Sequence, residues 1–248
     1  MSSFPDHFSE TAARYASYRP SYPAELFQWL ADASEKRERA WDCGTGSGQA
    51  AVPLAAHFQE IVATDPSAAQ LAQAKRAGRI HYAAMTAEDS ALASHSVQLI
   101  TVAQALHWFD LPRFYAEVNR VLAPGGLLAV WTYGLFSISP EIDVLVRSFY
   151  EQTLRGYWPT ERALVDAGYA GIPFPFAERT PPTFRMSRSW TLEQLAGYLD
   201  TWSAVSEYRK TNGVSPVGRF VTALAPLWGD VATAQQVTWP LELKVGAV

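Results

Sequence analysis

Short apolar runs and helix-spaced apolar stripes alternate along the first half of the chain. The runs at 40–43, 61–64, 79–83, 97–102 and 127–131 predict strands. The run 97–102 is almost continuously apolar, which suits a strand buried on both faces. Between them the pattern predicts helices over 49–57, 68–77 and 111–122. Ser67 stands where it can cap the second of these, and Pro124-Gly125-Gly126 stops the third and starts the next strand. Ahead of the first strand, residues 6–18 read as a polar helix with aromatic residues, ended before Arg19-Pro20. A second helix follows over 23–33, with Pro23 in its first turn and Leu26, Phe27 and Leu30 on one face. Strands alternating with helices over roughly ninety residues predict an α/β fold with a doubly wound parallel sheet. Right-handed crossovers then put the loops after the strands on one edge, where ligands bind.

After Tyr133 the rhythm changes. Ile142, Leu145, Val146 and Phe149 keep the i, i+3, i+4, i+7 spacing of a helix. Residues 156–176 are rich in Tyr, Trp, Pro and Gly, and 137–176 read as an insertion that covers the site. A strand is expected at 184–190, helices at 191–208 and 216–228, and a final strand at 235–245. The expected organisation is one domain over 1–248, led into by N-terminal helices within residues 1–35.

Composition narrows the function classes. The chain has 248 residues, 48% of them hydrophobic, and a formal charge of −4. No basic cluster marks a nucleic-acid footprint, and no window approaches the ~20 consecutive apolar residues of a membrane span. Residues 1–19 lack the apolar core of a signal peptide. Cys43 is the lone cysteine, so no disulfide forms within the chain, which fits a reducing cytoplasm. Its place at the end of an apolar strand reads as a packed thiol. No metal is expected.

The chemistry concentrates at Ala40-Trp41-Asp42-Cys43-Gly44-Thr45-Gly46-Ser47-Gly48-Gln49-Ala50. A glycine-rich turn between strand and helix lets a ligand approach bare backbone. The dinucleotide fingerprint G-x-G-x-x-G needs a glycine where Gln49 stands. The pattern is D-x-G-x-G-x-G, and an acid ahead of the turn suits a cofactor bearing an ammonium rather than a pyrophosphate. S-adenosylmethionine has an ammonium, a sulfonium, a ribose and an adenine, and no phosphate. Asp65-Pro66 ends the second strand about twenty residues on, where a carboxylate matches the two hydroxyls of a ribose.

With these residues the chain resembles the class I S-adenosylmethionine-dependent methyltransferases, in particular the methyltransferase type 11 domain. Thr86-Ala87-Glu88-Asp89 resembles that family's G-x-A-E-x segment, Thr101-Val102-Ala103-Gln104-Ala105-Leu106-His107-Trp108-Phe109 its fourth motif, His107-Trp108-Phe109-Asp110 the H-W-F/V-D segment of small-molecule methyltransferases, and Leu122-Ala123-Pro124-Gly125-Gly126-Leu127-Leu128 the family's L-x-P-G-G-x-L turn. Tyr15-Ala16-Ser17-Tyr18-Arg19-Pro20-Ser21-Tyr22-Pro23 resembles the segment that precedes the domain. Tyr157-Trp158-Pro159 and Val237-Thr238-Trp239-Pro240 look most like the trans-aconitate methyltransferase-related subgroup.

The resemblance implies a Rossmann-like sheet of about seven strands, mostly parallel with a C-terminal antiparallel hairpin from 184–190 and 235–245, and helices on both faces. It implies that Asp42, Gly44, Gly46, Gly48, Asp65 and Pro66 embrace S-adenosylmethionine. Ala87 and Glu88 or Asp89 would read its adenine, and Ala103 and Gln104 would line its methionine arm. Tyr18 or Arg19 would meet its carboxylate or the substrate. The partner is a small-molecule acceptor, through a carboxylate or hydroxyl oxygen, with Tyr15, Tyr133 and Trp158 around it. His107 is the candidate base where one is needed, and Trp108 reads as core. Arg147 and Arg155 read as surface residues. Three alternatives stand beside this: a nicotinamide oxidoreductase, a C-methyltransferase acting on a quinone-type precursor, and a fold that binds cofactor or partner without catalysis.

Overall fold

The computed structural model describes Tyr18 and residues 20–248. The expected helix over 6–18 therefore lies, but for Tyr18, outside the described residues, as do Tyr15 and Arg19. Helix α1 (Ala24–Ala33) precedes β1 (Arg39–Cys43), α2 (Ala51–Leu54), β2 (Glu60–Thr64), α3 (Ala68–Ala72) and β3 (Ile80–Ala83). Then come β4 (Val97–Ala103), a 3-10 turn at Leu106–Trp108, α4 (Leu111–Val121) and β5 (Leu122–Tyr133). The remainder runs through α5 (Pro140–Ser148), a π-turn at Phe149–Thr153, α6 (Arg162–Asp166), β6 (Ala177–Arg179) and β7 (Phe184–Trp190). It continues with α7 (Leu192–Leu199), α8 (Ser203–Asn212) and α9 (Val217–Trp228), and ends on β8 (Gln235–Ala247).

The eight strands form one sheet in the order β3-β2-β1-β4-β5-β8-β6, with β7 paired to β8. The first five are parallel, and β8 runs antiparallel to β5, from Leu127 opposite Ala247 to Tyr133 opposite Leu241. The expected hairpin partners do pair antiparallel, from Phe184 opposite Leu241 to Trp190 opposite Gln235. Strand β6 had no signal in the pattern because its three residues are all exposed.

Alternate residues of each parallel strand feed two cores. Leu26, Phe27 and Leu30 of α1, with Leu195 and Leu199 of α7, pack with Ala40, Leu99 and Trp131 on one face. Phe114, Val118 and Val121 of α4 pack with Trp41, Ile100 and Val130 on the other. The chain winds outward from β1 in one direction through β2 and β3, and in the other through β4 and β5. The crevice between the loops after β1 and β4 is thus the topological switch point of the sheet.

Three helices differ from their expected lengths; that over 68–77 stops at Ala72, with the Gln73 N–H on the Gln70 and Leu71 carbonyls. That over 49–57 contracts to Ala51–Leu54, because the positive-φ glycines hold the preceding residues in the loop and Pro53 donates no N–H. That over 191–208 divides where the Thr201 hydroxyl donates to the Tyr198 carbonyl at 2.6 Å, between α7 and α8. Among the described residues no helix is long and apolar enough to cross a membrane.

Helix α4 also fixes the loop after β3. The buried Glu117 carboxylate accepts the Ser90 N–H at 2.9 Å and its hydroxyl at 2.5 Å, and pairs with Arg120 at 2.7 Å. Arg120 first, then the Ser90 bonds, hold this carboxyl down to about 2 from its usual 4.5. A depressed carboxyl adds stability above its unfolded value that is lost as pH falls toward the folded one. Glu117→Gln is expected to lower unfolding free energy by ~2 kcal/mol at pH 7. In urea titrations that deficit should shrink below pH 4.5; an equal deficit at every pH would contradict it.

Candidate active site

At the end of β1 the chain turns through Gly44-Thr45-Gly46-Ser47-Gly48. The Thr45 N–H donates to the Thr64 carbonyl at 2.9 Å and the Gly48 N–H to the Thr45 carbonyl at 2.9 Å. Gly46 stands at φ +55, and the nearest atom to a Cβ built there is Gln70 Oε1 at 3.9 Å, so its bare Cα faces open space. A Cβ on Gly44 would come within 2.7 Å of Ala105, and one on Gly48 would come against the Tyr82 hydroxyl. Those two glycines allow close packing of the loop.

Two aspartates fasten this turn from different sides. Asp65 Oδ2 accepts the Gly46 N–H at 2.9 Å and Oδ1 accepts the Ser67 N–H at 2.8 Å, so one carboxylate ties the loops after β1 and β2 together. Asp42 is buried, and accepts the Thr45 hydroxyl at 2.5 Å and the Thr101 hydroxyl at 2.8 Å. Burial raises its carboxyl to about 6, against the lowering effect of the two hydroxyls.

A cavity of about 620 Å³ opens over the switch point, a volume that suits a cofactor-sized ligand. Of the residues singled out in the sequence, Gly44, Gly46, Asp65, Pro66, Ala87, Glu88, Ala103, Gln104 and Tyr133 lie on its wall. Asp42 and Gly48 do not; both support the loop from behind. Tyr18 packs against Gly197 of α7 instead. Asp89, the alternative to Glu88, lies there too, and the wall also holds Tyr22, Gln70, Trp108, Phe109, Asp110 and Arg113, which were not among the expected ligand contacts. Among the described wall residues, four carboxylates (Asp65, Glu88, Asp89 and Asp110) face one cation, Arg113. That balance suits a ligand carrying positive charge and is a poor host for a pyrophosphate. Glu88 Oε1 also accepts the Asp110 N–H at 3.0 Å, which joins the loop after β3 to the start of α4.

A narrower cavity of about 60 Å³ adjoins the first and shares Gln104, Trp108 and Tyr133 with it. Trp108 thus lines both spaces, where the sequence had suggested core. Gln104 stands at φ +57, a left-handed conformation uncommon outside glycine. Its Oε1 accepts the Thr132 hydroxyl at 2.7 Å and the Tyr133 N–H at 2.9 Å, and its Nε2 donates to the Tyr133 carbonyl at 3.1 Å. The side chain is a clamp on the end of β5.

The far wall of the small cavity comes from His107, Trp158, Arg162, Tyr198 and Trp202. His107 Nδ1 lies 2.8 Å from the Tyr169 hydroxyl, and Tyr169 also stands left-handed, at φ +60. Burial first, then the charge of Arg162, bring the imidazole down to about 3, so it is neutral at physiological pH. Arg162 Nε donates to the Tyr150 hydroxyl at 2.6 Å and to Asp166 at 3.0 Å. Its guanidinium carbon lies 4.9 Å from the Trp158 ring centre and 5.3 Å from that of Tyr150. Arg162 was not singled out in the sequence; Arg147 is exposed and pairs loosely with Glu151 at 3.9 Å. Among the described residues no group of three or more His, Cys, Asp or Glu is arranged to hold a metal ion.

A switch-point glycine loop, an acid ending β2 and an acidic cavity define a Rossmann-like enzyme that takes a nucleoside cofactor without phosphates. A family profile for the methyltransferase domain matches residues 41–130. A methyltransferase-family protein of Dictyostelium discoideum is 37% identical over 84% of this chain and 80% of its own length. An uncharacterised methyltransferase of Mycobacterium tuberculosis is 39% identical over 50% of this chain and 51% of its own. The structure of a protein assigned as a type II methyltransferase from Anaeromyxobacter dehalogenans superposes with a TM-score of 0.88 at 43% identity, covering 93% of this chain and 98% of that one. The chain belongs to the class I S-adenosylmethionine-dependent methyltransferases, and S-adenosylmethionine is its cofactor.

Proposed function

We propose that this enzyme methylates a carboxylate oxygen of a small acceptor held in the narrow cavity beside the cofactor site. The observation that carries the reading is the state of His107. A hydroxyl acceptor needs a base near neutral affinity for protons. The imidazole at this junction is buried, bonded to Tyr169 and held down to about 3, which makes it a feeble base. A carboxylate arrives ionised and needs none. Arg162 on the same wall supplies the complementary charge. Its Nε is engaged by Tyr150 and Asp166, which leaves the terminal nitrogens of a planar fork for an anion.

Bound S-adenosylmethionine supplies an electrophilic methyl group for in-line transfer. In this reading Gly44, Gly46, Asp65, Pro66, Ala87 and Glu88 hold the adenosyl part, with Ala103 and Gln104 along the methionine arm. Asp42 and Gly48 shape the loop that does so. Tyr133 and Trp158 flank the acceptor, and residues 137–176 serve as its cover. Trp158, Pro159, Arg162 and Val165 on the small cavity's wall support that role for the segment. Orientation and exclusion of water are the protein's main contributions to rate.

Radiolabelled methyl transfer across a panel of carboxylic acids, phenols and quinone precursors tests the proposal. Carboxylic acids are expected to be turned over, with kcat free of any inflection between about pH 6 and 9, where an ordinary histidine base would show one. Arg162→Leu is expected to raise KM for the acid about tenfold or more, the scale of a lost charge-assisted contact, with S-adenosylhomocysteine affinity intact. His107→Gln should cost less than about tenfold in kcat, where loss of a general base costs about 10²–10⁴. Turnover of phenols alone, with a large His107→Gln defect, would replace the carboxylate reading by the hydroxyl one.

A further inference from the structure

Two buried side-chain polar atoms among the described residues have no hydrogen-bond partner, Gln70 Oε1 and Trp131 Nε1. Trp131 packs edge-on against the rings of Tyr22 and Phe27 in the core. Gln70 is 5% exposed and lies on the wall of the large cavity. A buried carbonyl without a donor is costly, and the local sequence explains why this one is left over.

Ser67-Ala68-Ala69-Gln70 has the S-x-x-Q spacing of a capping box. In that motif the glutamine side chain accepts the N–H of the capping residue. Half of the box is made, since the Gln70 N–H donates to Ser67 Oγ at 3.3 Å. The other half is pre-empted, because the Ser67 N–H donates to Asp65 Oδ1 at 2.8 Å. The same motif at α7 is complete: the Thr191 N–H reaches Gln194 Oε1 at 2.9 Å, and the Gln194 N–H reaches Thr191 Oγ1 at 3.3 Å. Asp65 therefore displaces Gln70 from its local partner, beside the bare Cα of Gly46.

We infer that Gln70 is a further cofactor-binding residue whose side-chain carbonyl accepts a hydrogen bond from a ribose hydroxyl of the adenosyl group. The inference rests on the reading of Asp65 as the ribose carboxylate. Asp65 bonds the Gly46 N–H, and Gln70 Oε1 lies 3.9 Å from the Cβ position of the same residue. The hydroxyls that Asp65 would receive are therefore the donors nearest Gln70. Gln70 and Asp65 would then divide the diol between them.

The test is calorimetric binding of S-adenosylhomocysteine to Gln70→Leu, paired with thermal unfolding of the ligand-free proteins. The expected result has opposite signs. Ligand-free Tm holds or rises, because an unsatisfied buried carbonyl is removed, while the Kd rises about five- to tenfold, the scale of one neutral hydrogen bond. The penalty should vanish with either the 2′-deoxy or the 3′-deoxy analogue, which identifies the hydroxyl. If the branched side chain is not accommodated, unbranched Gln70→Met carries the same expectations. An unchanged Kd overturns the assignment, and so does a fall in ligand-free Tm with an equal affinity loss for both deoxy analogues. Asp65→Ala in the same assay separates the two failures. An affinity loss there with none at Gln70 removes Gln70 alone, and no loss at either position removes the ribose reading itself.

Discussion

Gly46→Val is expected to weaken S-adenosylhomocysteine binding by more than about 100-fold while leaving a folded protein. Two effects combine. At φ +55 a β-branched residue is strained, at a cost of roughly 1–3 kcal/mol. With open cavity beyond its Cβ position, the isopropyl group escapes clashes with protein and occupies the space above the loop. Titration calorimetry with circular dichroism as the folding control measures both. Gly46→Ala separates them, since it keeps the backbone penalty and adds less bulk. Affinity of Gly46→Val within about threefold of the parent, ~0.7 kcal/mol, would mean that the ligand lies elsewhere.

Asp65→Ala is expected to lose about 2–4 kcal/mol of cofactor affinity, roughly 30- to 1000-fold. The carboxylate has two duties. It accepts the Gly46 and Ser67 N–H groups, which joins two loops, and in the proposed reading it also meets the ribose. Removing it leaves two amides without their acceptor and loosens the loop that presents bare backbone to the ligand. Thermal unfolding without ligand reports the first duty and binding to the deoxy analogues the second. A drop in Tm with unchanged affinity would reduce Asp65 to a loop tie.

Most of the parallel half of the sheet was legible because its strands carry compact apolar runs, as at 61–64 before Asp65-Pro66 and at 97–102; Pro124-Gly125-Gly126, read as the turn ahead of β5, lies within that strand. The glycine turn was legible for the same local reason. What the sequence hid was non-local. Asp42 reads as a ligand-facing acid, but its partners are Thr45 and Thr101, the second lying 59 residues away. His107 reads as a base until Tyr169, 62 residues on, is found against its Nδ1. Arg162 looks like any arginine of a short helix until Tyr150 and Trp158 are seen beside it. The exposed β6 carries no periodicity, and the break between α7 and α8 comes where Trp202 turns extended, at ψ 135, a local change that no apolar spacing marks. Gln70 had a local signal, the S-x-x-Q spacing, but its meaning depended on Asp65 taking the capping N–H first.

The left-handed glutamine at 104 sits where the two cavities meet, with its amide bonded on both sides to β5. A wall anchored in this way works as a fixed ruler. In the proposed reading, with the methyl donor in one cavity and the acceptor in the other, their spacing is set when the chain folds, before either molecule arrives, so alignment costs little at the moment of reaction. Such a site sorts its acceptors by reach: a molecule one carbon too short leaves its oxygen outside attacking distance, however well the rest of it fits.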